Sequence, residues 1–78
     1  DLFAAARLGS LPDVQRALNH QRLSVDTKDM GGATALMRAA QHGQLHVVEY
    51  LLRRRAKVDE MNAFGYTALW FAAYNGHD

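Results

Sequence analysis

Two pairs of side chains have residue types that metal or acid/base chemistry requires. His42 and His46 have the i, i+4 spacing at which one helix face can hold zinc, but Gly43 lies between them and predicts that the helix ends there. Asp59 and Glu60 are adjacent. On an extended backbone, adjacent side chains point to opposite faces, unlike an acid/base pair that converges on one bond. We therefore expect neither a metal site nor paired carboxylate catalysis.

Signals for nucleophilic catalysis and phosphate binding are equally weak. The serines, Ser10 and Ser24, do not lie in a Gly-x-Ser-x-Gly elbow, and the absence of cysteine excludes a thiolate nucleophile and a Cys-type zinc site. No Gly-Lys-Ser/Thr follows Gly31-Gly32, so this pair predicts a turn and not a phosphate cradle. We expect no catalytic residue, no cofactor and no metal.

Composition narrows the class of partner. The 78 residues are 49% hydrophobic and 22% charged with a net charge of +1, which is typical of one small folded domain. So low a net charge gives no strong field to attract nucleic acid or an anionic membrane. Neither a membrane span nor a signal peptide is recognisable, and the lack of disulfide-forming cysteine favours an intracellular location, in cytoplasm or nucleus.

The one run of like charge is Arg53, Arg54, Arg55 and Lys57. Cations near a helix C-terminus interact favourably with the helix macrodipole, which explains the run without a ligand. The alternative is that it contacts an acidic partner or a nucleic-acid backbone, as part of a regulatory arm of a larger enzyme or nucleic-acid-associated protein.

These residues belong to an internal repeat. At a shift of 33 residues, seven of the twelve residues from position 32 to position 43 recur: Gly32, Thr34, Ala35, Leu36, Ala39, Ala40 and Gly43. A shift of 34 residues extends the similarity back to Leu2, so one residue is inserted between Leu18 and Val25. Such a period indicates one supersecondary unit that is copied and stacked.

Each unit predicts two helices and a projecting loop. In the middle unit the first helix is expected at 34–42, capped by Thr34 and ended by Gly43 in a left-handed conformation. The second is expected at 45–54. Its predicted buried stripe is Leu45, Val48, Leu51 and Leu52, with Val47 added. Residues 56–65 predict an extended arm with a tight turn, and Ser10 is a candidate cap for the helix that Pro12 begins.

The segments at 32–40 and 65–73, Gly-Ala-Thr-Ala-Leu-Met-Arg-Ala-Ala and Gly-Tyr-Thr-Ala-Leu-Trp-Phe-Ala-Ala, resemble the ankyrin signature Gly-x-Thr-Pro-Leu-His-x-Ala-Ala. His77 resembles the histidine of the family's Gly-His turn. Alanine replaces the signature proline, and Met37 and Trp70 replace its histidine. Arg55 stands where the family usually has glycine, and a left-handed conformation there would cost about 1 kcal/mol, so we expect either local strain or a different turn.

The resemblance implies an all-α solenoid of stacked antiparallel helix pairs with projecting β-hairpin-like loops. We expect a partial repeat at 1–28, a full repeat at 29–61 and a truncated repeat at 62–78, within a longer array. The stripe of Leu69, Ala72 and Ala73 would then need a cover from further chain or from another molecule. Self-association through Leu69 and Trp70 is therefore an alternative function.

The leading hypothesis is a protein-protein interaction module that acts as a scaffold or adaptor. In the family, the exposed face of the first helices and the hairpin tips line a concave groove that binds a protein or peptide. The positions are Arg38, Gln41, His42, Phe71, Tyr74 and Asn75 on the helices, and Met30, Gly31, Ala33, Phe64 and Tyr66 on the hairpins. Stacking of the units predicts Arg38 over the ring of Phe71. Alternatively, Phe71 and Tyr74 pack against a neighbouring repeat, as we expect for Trp70.

Overall fold

Within residues 1–76, five helices form two rows. The computed structural model describes residues 1–76. The helices are α1 Leu2–Leu8, α2 Leu11–His20, α3 Ala35–Gln41, α4 Leu45–Arg53 and α5 Ala68–Tyr74. The inner row is α1, α3 and α5, with α3 packed against both others, and the outer row is α2 and α4, each packed on the inner helix that precedes it. The predicted all-α repeat solenoid is confirmed.

The helix boundaries follow from side-chain caps and glycines. Thr34 accepts a hydrogen bond from the Met37 backbone N–H at 3.3 Å, and Gly43 has a φ of 68°, so both predicted boundaries of α3 are confirmed. The predicted cap at Ser10 is wrong. Ser10 precedes α2, but its hydroxyl donates to the Asp13 carboxylate at 2.9 Å and caps no backbone N–H.

Small residues allow the inner helices to approach one another. Ala5 and Ala6 on α1 and Ala39 and Ala40 on α3 are all buried. An alanine has no side-chain rotamer to fix, so a helix face of alanines packs closely at little entropic cost. The inner row therefore forms a compact support for the loops that project from it.

The buried side of α4 differs from the prediction. Val47 and Leu51 are fully buried, whereas Leu45 and Leu52 are 64% and 43% exposed. The helix contacts α2 and α3, and within residues 1–76 no third outer helix packs on its other side. The predicted stripe was therefore wrong at Leu45 and Leu52, because it assumed a neighbour on both sides.

Of the two outcomes expected at Arg55, the structure has the left-handed conformation, with a φ of 65°. We expect Arg55→Gly to raise the free energy of unfolding by about 0.5–1 kcal/mol, because glycine adopts a positive φ without steric cost. Urea denaturation followed by circular dichroism would measure the change. Arg53→Gly is the matched control: it removes the same charge from the last residue of α4 and should instead destabilise, by up to about 1 kcal/mol, because glycine is a poor helix former. Equal effects of the two substitutions would contradict the strain at Arg55.

Candidate functional site

Two hairpins with the same hydrogen-bond pattern project from the inner row of helices. Asp29 accepts through Oδ1 from the backbone N–H groups of Gly31 and Ala33, both at 2.9 Å. One period later, Asn62 accepts through Oδ1 from Phe64 at 2.9 Å and from Tyr66 at 3.0 Å. Sequence reasoning missed both side chains, although an Asp or Asn that begins a turn at the repeat period is a recognisable signal.

The hairpins lie side by side and bond to each other. The backbone N–H of Ala63 donates to the Gly31 carbonyl at 3.3 Å. The Lys28 ammonium donates to the Met61 carbonyl at 3.1 Å and pairs with Glu60 at 3.1 Å. Together the two hairpins form one wall of a groove whose floor is the inner row of helices.

Arg38 ties the first hairpin to this floor. Its Nε and Nη2 donate to Oδ2 of Asp29 at 3.1 and 2.9 Å, and its Nη1 donates to Gln41 at 3.1 Å. The predicted cation–π contact between Arg38 and Phe71 is wrong, because the acid of the hairpin holds the guanidinium. The cation–π contact in the described part of the chain joins Arg54 and Tyr50 on the outer row, at 5.7 Å.

Opposing effects set the pKa of Asp29. Partial burial alone would raise it, but the hydrogen bond from Ala33, the hydrogen bond and charge of Arg38, and the hydrogen bond from Gly31 together outweigh that effect. The pKa therefore lies below its ordinary value of 3.8. Asp29 is ionised at neutral pH and neutralises Arg38, so this pair adds little charge to the groove.

Beyond this ion pair, an aromatic cluster lines the groove. The rings of Tyr66 and Trp70 stack at 3.9 Å and those of Trp70 and Tyr74 at 4.8 Å, each pair within 7° of parallel. We call these three rings the aromatic column. Phe71 meets Trp70 edge-on at 5.2 Å, and Phe64 lies 6.3 Å from Tyr66. The i, i+4 spacing of Trp70 and Tyr74 on α5 and the position of Tyr66 just before the helix bring the column together.

Two predicted contact residues are not exposed. Phe71 is 8% exposed and Ala33 is 2% exposed, so their predicted places on the open surface are wrong. Phe71 occupies the repeat position of Arg38, and Asn62 occupies that of Asp29, so the ion pair has no equivalent in the third repeat. The ring of Phe71 packs edge-on against Tyr66 and Trp70 of the column. Ala33 lies in the short hairpin stem, where its N–H and carbonyl are both bonded to Asp29.

Most of the other predicted residues face a common depression of about 350 Å³. It is lined by Gly31, Arg38, Gln41, Asn62, Phe64, Tyr66, Trp70, Phe71, Tyr74 and Asn75. Arg38 and Phe71 thus lie on the same side of the molecule, as the repeat predicted. Met30, which is fully exposed, lines an adjoining depression. His42 is exposed at the end of α3 and lines neither depression.

The end of the stack beyond α5 is open within the described residues. Leu69 is 77% exposed and Ala73 is exposed, whereas Trp70 is drawn into the column and is only 36% exposed. The predicted turn histidine, His77, lies outside the described residues.

Neither a metal cluster nor a membrane span is present in the part of the chain that the structure describes. Residues 1–76 contain no group of three His, Asp or Glu side chains placed to hold a metal ion. None of the five helices has the length and hydrophobicity needed to cross a lipid bilayer.

Comparisons with known proteins agree with this architecture. A family model of ankyrin repeats, three copies, matches residues 2–78. Similar curated proteins include ankyrin repeat and SAM domain-containing protein 6 of Danio rerio, 40% identical over 80% of this chain. The E3 ubiquitin-protein ligase XBAT33 of Arabidopsis thaliana is 44% identical over 96% of this chain. The chain spans only 8% and 14% of the lengths of these two relatives.

A solved structure is similar over the same region. One chain of the complex of the Bd0816 predatory endopeptidase from Bdellovibrio bacteriovorus with immunity protein Bd3460 superposes with a TM-score of 0.92. It is 34% identical, and the match covers 97% of this chain and 39% of that one.

Proposed function

Because the chain belongs to the ankyrin repeat family, we propose that it binds a protein or peptide partner in the groove between its hairpins and inner helices. Ankyrin repeats generally serve as protein-protein interaction modules, and stacked repeats of this kind bind through extended concave surfaces. The similar chain of known structure comes from a protein complex, which supports a partner-binding role.

The single observation that carries the proposal is the aromatic surface within the groove. Tyr74, in the aromatic column, and Phe64, beside Tyr66, are 74% and 77% exposed, and the other two rings of the column are partly open. Clustered apolar groups on a soluble protein mark interaction sites more often than chance. Tyrosine and tryptophan are also the side chains on which binding energy concentrates at interfaces.

The ion pair and the buried ring have supporting roles in this proposal. Arg38 and Asp29 fix the angle at which the first hairpin stands over α3. Phe71 packs edge-on against Tyr66 and Trp70 and so restricts the orientation of these two rings. Preorganised side chains lose little entropy when a partner binds, so the exposed rings can contribute most of their contact energy to affinity.

We assign the segment no catalytic role. Two similar proteins are named as E3 ubiquitin-protein ligases and one as a palmitoyltransferase, yet this chain corresponds to between 10% and 14% of their lengths. Its residues supply a shaped surface, and any chemistry of the full-length protein would reside elsewhere.

Tyr74→Ala in the full-length protein should weaken binding of the partner at least tenfold. This change corresponds to about 1.4 kcal/mol, the loss expected for an interface aromatic. The partner would be identified by cross-linking and its affinity measured by isothermal titration calorimetry. Thermal stability should change little, because Tyr74 is mostly exposed.

Two control variants separate this site from other surfaces. Leu52→Ala removes an exposed apolar group from the outer row and should leave affinity unchanged. Leu69→Glu tests the second candidate, self-association through the open end, for which the exposure of Leu69 is the supporting observation. If Leu69→Glu dissociates the complex with the partner while Tyr74→Ala does not, the groove is not the binding site.

A further inference from the structure

The groove continues beyond the aromatic cluster to a basic side chain on α1. A second depression, lined among others by Phe3, Arg7 and Met30, shares Gly31 and Arg38 with the first. The two depressions therefore form one channel along the inner row, from α1 to α5. An extended partner lying in this channel would pass all three repeats.

The side chains at one equivalent position of the three inner helices change in chemistry along this channel. One repeat position is occupied by Arg7, Gln41 and Tyr74, which are separated by 34 and 33 residues. All three line the channel. One end thus offers a cation, the middle an amide and the other end a phenol ring. A partner would meet these groups in a fixed order because the helices that carry them are stacked.

Arg7 is the cation in the channel that is left for a partner. Arg38 is neutralised by Asp29, and Lys28 is paired with Glu60. Within residues 1–76, Arg7 forms no ion pair and its side chain makes no hydrogen bond. Asp1, the other acid that lines the channel, caps the first turn of α1 through a bond from the Ala4 backbone N–H at 2.8 Å.

We propose that the channel binds an extended peptide segment with an acidic side chain at Arg7 and an aromatic or proline side chain at the aromatic cluster. The proposal rests on the function proposed above and adds the chemistry and spacing of the ligand. Tyr66, Trp70 and Tyr74 present ring faces and edges that suit an aromatic or proline side chain. Opposite charge at the other end would fix the direction in which the segment lies.

The stack also sets the spacing between the two anchors. Neighbouring packed helices lie about 8–10 Å apart, so the two steps from α1 to α5 span about 16–20 Å. An extended chain advances about 3.3 Å per residue, which places the acidic and the aromatic or proline residue about five or six positions apart.

The test is a selection from a displayed library of random peptides of about twelve residues against the full-length protein. We expect enriched sequences to carry Asp or Glu about five or six positions from an aromatic residue or proline. Enrichment of basic residues, or of acidic residues without this spacing, would overturn the proposal.

A charge-swap experiment with the best enriched peptide then tests Arg7 directly. Arg7→Glu should weaken that peptide at least tenfold by fluorescence polarisation, and a peptide with lysine in place of its acidic residue should regain affinity for the variant. Arg53→Glu makes the same charge change on the outer row and should have no such effect. Failure of the lysine peptide to rescue binding would argue against direct pairing.

The same peptide distinguishes failure of this inference from failure of the proposed function. If Tyr74→Ala abolishes binding but Arg7→Glu leaves it unchanged, the groove binds partners without the acidic anchor, and only the inference of this section is wrong. If neither substitution weakens any enriched peptide, both proposals fail.

Discussion

Gly32→Ala should lower the free energy of unfolding by about 3 kcal/mol, whereas Gly65→Ala should lower it by only about 1 kcal/mol. The two glycines occupy the same position in successive hairpins, with φ values of 82° and 83°. The cost of placing alanine in a left-handed conformation is therefore the same at both sites. The atoms around the two glycines differ, and this should cause the difference in stability between the two variants.

A methyl group at Gly32 would lie 2.9 Å from the backbone nitrogen of Ala63, while at Gly65 no heavy atom of the described residues lies within 4 Å. The first hairpin must therefore separate from the second, which breaks the bond between Ala63 and Gly31. Overpacking of this kind costs about 1–3 kcal/mol beyond the backbone strain. Urea denaturation of the two variants measures the difference, and equal losses would show that the hairpins are not in contact.

Asp29→Ala should destabilise the protein by about 2–3 kcal/mol, and Asp29→Asn by about 1 kcal/mol. Alanine leaves the backbone N–H of buried Ala33 without an acceptor and half-buried Arg38 without its counter-ion. Asparagine keeps the oxygen that closes the turn and removes the ion pair. Asn62 shows that asparagine performs this role in the next hairpin of the same chain.

The ion pair also predicts the pH dependence of this difference. The pKa of Asp29 is depressed in the folded protein, so its contribution is complete above the ordinary pKa of 3.8 and declines as the pH falls through the lower folded value. The stability gap between the wild type and Asp29→Asn should therefore be constant from about pH 7 to pH 5 and narrow below about pH 4. Urea denaturation at several pH values measures it. A gap that persisted undiminished in strong acid would show that Asp29 acts through something other than its charge.

The repeat period was sufficient to predict the architecture. Thr34, Gly43 and Arg55 have conformations that depend on hydrogen bonds and sterics within a few residues, and these are visible in the sequence. The predicted cap and helix end are confirmed, and Arg55 has the left-handed conformation, one of the two outcomes expected there. The exposed aromatic residues were found in the same way, because Tyr74 replaces the polar Gln41 at the same helix position.

The directions of particular side chains were harder to predict. Arg38 and Phe71 share one repeat position, and the period alone predicts that both point into the groove. Both do line the depression, but Arg38 is held by Asp29, and Phe71 packs edge-on against Trp70 instead of meeting Arg38. These outcomes depend on which residue each hairpin supplies opposite the helix, a contact between segments that periodicity does not encode. Leu45 on α4 was misassigned for a related reason, because its burial requires an adjacent helix.

The stacked rings of Tyr66, Trp70 and Tyr74 give the third repeat an optical signature of its own. Trp70 is the single tryptophan of this chain, and its indole lies within 5 Å of two phenol rings. Light absorbed by those tyrosines is transferred to the indole, and the fixed ring geometry gives a near-ultraviolet circular dichroism signal that disappears when the column separates. Helix content, by contrast, reports on all three repeats. Heating the protein while recording both signals would show whether the last repeat melts with the others or frays before them.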